Sequence, residues 1–440
     1  MMAKHVFQRS SLALAIASVF FLSACDTSVD VVADDNDHDH DHEHENGHST
    51  GRLVITEDGT TNAFVYDLGE NELFGPMDLG FESRLYTSPG YRYALAVQRS
   101  QNQVRFIDSG YESEDHDGHS HDHEHDPELL SYMLTGEMPT HYDYFLNRGA
   151  VFYDGTDGTP AKVEVVSDHS IAHERLVGDV TLDARMHGAA EVRNDWLFTS
   201  YRSDPGAEST LPDYVEVYEL HDDHYDFVDR FDEPCEGLHG SAINQEHVAF
   251  GCSDGVLVIS DHEHDHEHHF ETSKIANLDG RIGTLYGHPD SHIFVGVAGD
   301  ELYRVDPDHG EMQHIDWRDA DHADAEVVSM TFNYSGNRFA ILDDHGYMTI
   351  VRFRDEGHDD YPFQIQSHFS VLEHVHDGQA AMTASAINHD AYIMDVEHNR
   401  VVIVDLHDGE VIDERDLDFT PAGAVWLGPV AAEDDHDHDH

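Results

Sequence analysis

The chain has 440 residues, of which 39% are hydrophobic and 10% aromatic, enough to bury a sizeable core. Against 90 acidic residues stand 23 Lys and Arg, a formal net charge of −67, and the lysines are Lys4, Lys162 and Lys274. Such a surface excludes nucleic acid and anionic lipid headgroups as partners, since both are recognised through basic patches. It also draws cations towards the chain and repels itself in dilute buffer, the mark of a salt-adapted protein.

In chain order, Lys4 and Arg9 precede an apolar run over 12–22, and Leu22-Ser23-Ala24-Cys25 matches a bacterial lipobox. The run is short for a membrane span. The expected organisation is a lipoprotein signal peptide over 1–24 and a tether over 25–50, lipidated at Cys25. The location is then the periplasm, with the membrane reached by the lipid anchor only.

Four His/Asp tracts punctuate the chain beyond Cys25. The first carries His38, His40, His42 and His44, and the second His119, His121, His123 and His125. The third carries His262, His264, His266 and His268, and the fourth is the tail 431–440. Imidazole is the commonest side-chain ligand for borderline divalent metals, and neighbouring carboxylates ligate or orient the ring. Tracts this polar are expected to stay solvated and disordered, as loops or tails outside the core.

Between the tracts, short apolar and β-branched runs recur as pairs: 53–56 with 63–67, 93–97 with 104–108, 151–153 with 163–166, and 196–199 with 214–218. The series continues with 248–251 and 256–259, 294–297 and 302–306, 339–342 and 348–351, and 392–395 and 401–405. Turn signals such as Asp58-Gly59, Asp157-Gly158, Asp254-Gly255 and His345-Gly346 divide several of them. Eight hairpins at this spacing predict an all-β fold, a β-propeller over 51–430. Eight blades are favoured, with seven as the alternative. The insertions at 112–128 and 261–269 then lie between strands.

Cys235 and Cys252 are the cysteines left after Cys25. In an exported chain two such cysteines are expected to pair, the alternative being a zinc site shared with His239. Residues just ahead of each innermost propeller strand converge at one mouth of the channel. Met186-His187-Gly188, Leu238-His239-Gly240 and His374-Val375-His376-Asp377-Gly378 occupy such positions, and Pro139-Thr140-His141-Tyr142 corresponds to them in an earlier blade. Three or four of these imidazoles, with Asp143 or Asp377, would suit a tetrahedral zinc shell. The competing reading is turn chemistry before a strand. A second candidate is Asp168-His169 with His173-Glu174 on a helical turn. The loop 317–322 reads as surface. Ser-His-Asp elbows, His-Glu-x-x-His helices and phosphate loops are missing from the sequence, so the chain does not read as an enzyme.

The signal segment, the tracts, the hairpin series and Cys235-Glu236-Gly237-Leu238-His239-Gly240 with Cys252 together resemble the AztD-type periplasmic zinc metallochaperones. The resemblance spans 52–429. It implies Zn²⁺ as cargo, His187, His239 and His376 as a ring of ligands, and transfer to the solute-binding protein of a zinc ABC importer. Zinc, in preference to copper or nickel, comes from that resemblance. The several tracts, the lipid anchor and the acidity depart from it, and leave as alternative a monomeric lipoprotein scaffold that buffers metal and binds other envelope proteins.

Overall fold

A computed structural model describes residues 50–116, 119–264, 267–354, 362–375 and 379–430. Each of the eight paired runs forms an antiparallel hairpin, from Arg52–Glu57 with Asn62–Asp67 to Asp390–Asp395 with Arg400–Asp405. A further strand flanks each hairpin on either side. Among the described residues this makes eight four-stranded groups. Two of them share one sheet, through a parallel pairing of Asp179 with His224.

The fold is a β-propeller, and its two chain ends meet in one group. The late strand Pro421–Leu427 pairs with Arg52–Glu57, Leu53 opposite Trp426. Trp426 is fully buried and donates from Nε1 to the Thr50 carbonyl at 3.0 Å. Sharing one group between the ends closes the ring and leaves only the short edges of each four-stranded group.

The central strands are buried on both faces, which is why the sequence shows apolar runs there instead of strict alternation. On Arg52–Glu57, Leu53 and Ile55 pack with Tyr392, Met394 and Ile403 of the preceding group. Val54 points the other way, towards Ala94, Ala96 and Ile107 of the following one. Alternate side chains of each strand thus enter two different cores, and each group is clamped between its neighbours.

The two internal tracts differ from the expected irregular loops. Tyr111–His116 pairs with His119–Glu124, and Gly255–His264 pairs with Glu267–Ala276 through His262 opposite His269. The physical reason is that a hairpin ladder already running into each tract continues along it. The His-x-His period of two suits a strand as well as a solvated coil. Arg52 pins the base of the first hairpin. Its guanidinium is buried, pairs with Asp67 at 2.9 Å, and donates to the carbonyls of Ser109 and His125 at 2.6 and 2.9 Å.

Candidate metal centre

Three chain segments deliver histidines to one place. His141 lies on the strand Pro139–Phe145, His187 just ahead of Ala190–Arg193, and His239 just ahead of Ser241–Ile243. Their ring centroids are 5.0 Å (His141 to His187), 5.1 Å (His187 to His239) and 5.7 Å (His141 to His239) apart. One ligand atom from each lies within 4.8 Å of the others.

The backbone explains how they come so close. The His187 amide donates to the Thr210 carbonyl, and the His239 amide to that of Gly251. A Cβ on Gly188 would stand 2.0 Å from Ser200 Oγ, and one on Gly240 would stand 2.7 Å from the Gly283 carbonyl. Gly240 also has φ +78°, where side chains are strained. A disulfide between Cys235 and Cys252 holds the His239 segment from its other end, assisted by the Leu238 amide on the carbonyls of Pro212 and Cys235.

Electrostatics set the ring tautomers. His239 Nδ1 stands 2.7 Å from the Gly283 carbonyl, which only accepts, so this nitrogen carries a proton. His187 Nδ1 stands 3.0 Å from Asp154 Oδ2, which also takes Arg99 at 2.7 Å. Burial works to raise the Asp154 carboxyl, but the hydrogen bonds from His187 and Arg99 outweigh it and keep it below the usual range. Asp154 is therefore ionised, and His187 Nδ1 is the donor.

In their neutral forms both rings then present a bare Nε2 to each other, 3.2 Å apart. Two lone pairs at that distance repel unless a cation lies between them. Nitrogens about 2.0–2.1 Å from a tetrahedral zinc ion are about 3.3–3.4 Å apart, close to the spacing here. Burial, with the two neighbouring imidazoles, pushes His141 down to about 4, so it too stays neutral and ready to ligate. A carboxylate or carbonyl behind a ligating imidazole is the usual way to orient the ring and raise its basicity.

The remaining expected residues fall elsewhere. Asp143 is not in the histidine cluster; it neighbours the buried Glu191, and burial pushes its carboxyl up. Glu191 is pushed up by burial and by that neighbour. Cys25, His38, His40, His42, His44, His266, His376 and Asp377, with the tail 431–440, lie outside the described residues. His119, His121 and His264 sit on the tract strands. His123 is exposed on the same hairpin, His125 bonds its Nδ1 with the Asp126 carbonyl, and His268 Nδ1 stands 2.8 Å from Asp261. His262 stands 3.9 Å from Glu271. Of these, His123, His125, His262 and His268 are not in the cluster of three.

The second sequence candidate forms a structural clip instead. Asp168 accepts from Ser88 Oγ and from the amides of Gly90 and Arg92. The tilted rings of His169, on the helical turn Asp168–Ala172, and His173, its C-cap, have centroids 4.3 Å apart, but His173 Nδ1 bonds the His169 carbonyl and Arg175 occupies His169 Nε2. Asp154 is a partner of the cluster that the sequence does not signal. It follows Tyr153 at a strand end, and nothing local marks it as the partner of His187.

No protein-family profile matches the chain. Among curated proteins it is 22% identical over 395 residues to the zinc chaperone AztD of Citrobacter koseri, covering 88% of this chain and 89% of the relative. The crystal structure of apo AztD from that organism superposes with a TM-score of 0.70 at 19% identity, over 87% of this chain and 99% of AztD. The chain resembles AztD. A second AztD structure gives the same TM-score at 20% identity. At these identities the likeness shows a common fold.

Proposed function

We propose that this chain is a zinc metallochaperone of the cell envelope. Zn²⁺ is its cargo, held at His141, His187 and His239 and passed to an acceptor such as the solute-binding protein of a zinc importer. One observation carries the reading: His187 and His239 face each other with bare nitrogens at 3.2 Å, each fixed from behind by a proton acceptor. The resemblance to a zinc chaperone supplies the choice of metal.

The site has the chemistry that transfer requires. Three imidazoles leave one position of a tetrahedral ion open, so an acceptor ligand enters before a donor ligand leaves. The direction of transfer follows from the affinity difference, a factor of about ten for each 1.4 kcal/mol. In the same reading the leader over 1–24 exports the chain, lipidated Cys25 tethers it, and the His/Asp tracts capture zinc in fast-exchanging arrangements. His376 is a further ligand candidate for the same mouth of the channel.

The test is zinc transfer in the presence of a chromophoric chelator, from the de-lipidated mature protein to a zinc-importer binding protein. The H187A/H239A variant serves as comparison. Wild type should load the acceptor faster than release into solution permits, and the variant should not. Equal, chelator-limited rates for both proteins would sink the chaperone reading and leave a metal-buffering scaffold.

A further inference from the structure

The innermost strand of the group ahead of His141 carries a cation that no carboxylate among the described residues answers. Arg84 opens the strand Arg84–Thr87 and pairs in register with Val97, the residue before last of Tyr93–Gln98. His141 pairs with Phe152, the residue before last of Arg148–Tyr153. Arg84 and His141 therefore stand at the same level on two consecutive innermost strands. Side chains alternate along a strand. Leu85 packs into the core shared with the preceding group, whereas Tyr86 meets Tyr142 edge-on with ring centroids 5.6 Å apart. Arg84 shares the face of Tyr86, so it is turned towards the strand that carries His141.

Arg84 is exposed, with its guanidinium over the Tyr86 ring, 5.2 Å from the centroid. Among the described residues it makes no hydrogen bond or ion pair. Its charge reaches the cluster: behind burial and the two other imidazoles, it is a further cause that holds His141 down. It also acts at Tyr286, on the strand Thr284–Tyr286, against the rise that burial causes there. A chain with 90 acidic residues against 23 Lys and Arg thus keeps an unpaired cation beside a cluster suited to another cation. Like charges in such a place repel, and an anion between them is attracted by both.

We propose that Arg84 is the anion-recognition residue of this centre: it holds a carboxylate for the open fourth position of an ion bound by His141, His187 and His239. The proposal rests on the metal reading of those three histidines. A guanidinium meets a carboxylate as a planar fork, and charge-assisted bonds of this kind are the strong ones. The carboxylate comes from a side chain of the docking acceptor or from a small free acid. In the first case it is the ligand that enters before a donor leaves, and Arg84 then favours acceptors that offer an acidic ligand.

Co²⁺, whose visible absorption reports its ligands, is the probe, bound to the full mature chain without its lipid. Bands that H187A/H239A lacks belong to the cluster, and their absence from wild type would end the metal reading itself. Acetate should change those bands saturably. In R84Q half-saturation should need at least about ten times more acetate, the loss expected for one charge-assisted hydrogen bond, and R84K should fall between. In acetate-free buffer R84Q should hold Co²⁺ at least as tightly as wild type, because it loses a like charge and no ligand. Cluster bands that ignore acetate, or equal half-saturation in R84Q, would overturn the proposal and leave the metal reading standing. So would weaker Co²⁺ binding by R84Q, which would make Arg84 a support of the histidines. Zinc transfer to the importer's binding protein then names the source. A slower transfer from R84Q assigns the carboxylate to the acceptor, and an unchanged rate beside the acetate effect assigns it to a small acid.

Discussion

At His239 the deciding detail is which ring nitrogen carries the proton. A carbonyl takes the Nδ1 hydrogen, as the Asp154 carboxylate does at His187, and both Nε2 atoms are left as ligands. Asp154 acts behind His187, so its loss should weaken the site without removing a ligand. In D154A, zinc affinity measured by chelator competition should fall about 10–100-fold; an unchanged affinity would mean the ring needs no such support. A histidine outside the cluster contributes to acid stability alongside His141, which burial also pushes down. Burial pushes His288 down to about 4. Below about pH 6.5 the unfolded chain therefore binds a proton that the folded chain refuses. Its contribution is intact above that pH and is lost as pH falls towards 4, by an amount of order 3 kcal/mol. Urea unfolding at pH 7 and 4.5, with chelator present, should show a smaller acid loss for H288Q than for wild type. Matching losses would remove His288 from the account.

At the scale of elements, the His-Gly segments work because the backbone passes close to its neighbours. A Cβ at Gly240 meets the Gly283 carbonyl, the group that orients His239. G240A should therefore lower stability, by about 1–2 kcal/mol for the left-handed conformation alone, and lower zinc affinity as well. Gly280, at φ +72° with Ala298 Cβ the nearest atom at 3.3 Å, makes the control. G280A should strain the backbone and leave zinc binding unchanged. If G240A binds zinc like wild type, the carbonyl is not what positions His239. The tract hairpins belong to this scale too. Their alternation is visible as composition, but whether they form ladders depends on strands already paired beneath them. Arg52 shows the same dependence, since its acceptors at Ser109 and His125 lie far along the chain from it.

For the molecule as a whole, charge and closure pull against each other. A formal charge of −67 repels itself across the ring, while the pairing of Pro421–Leu427 with Arg52–Glu57 holds the ends together. Salt shortens the screening length from about 10 Å at 0.1 M to about 3 Å at 1 M. The thermal midpoint of the metal-free protein should rise steadily over that range. A flat or falling midpoint would show that repulsion is not the limiting term.

The sequence by itself determined the strands. Apolar runs separated by Asp-Gly and similar turns specify hairpins through contacts a few residues apart, and all eight hairpins are present. It also marked His141, His187 and His239, because their places ahead of or within innermost strands repeat along the chain. Only the tertiary structure decided which nitrogens face each other, that Asp154 and Gly283 stand behind them, and that Asp143 turns to Glu191 instead. Only it set Arg84 level with His141 on consecutive innermost strands, and committed Asp168 to Ser88 and the Gly90 and Arg92 amides. Periodicity records which face of a strand is buried. It carries no record of which residue from another group arrives there, since that is set by closing the ring.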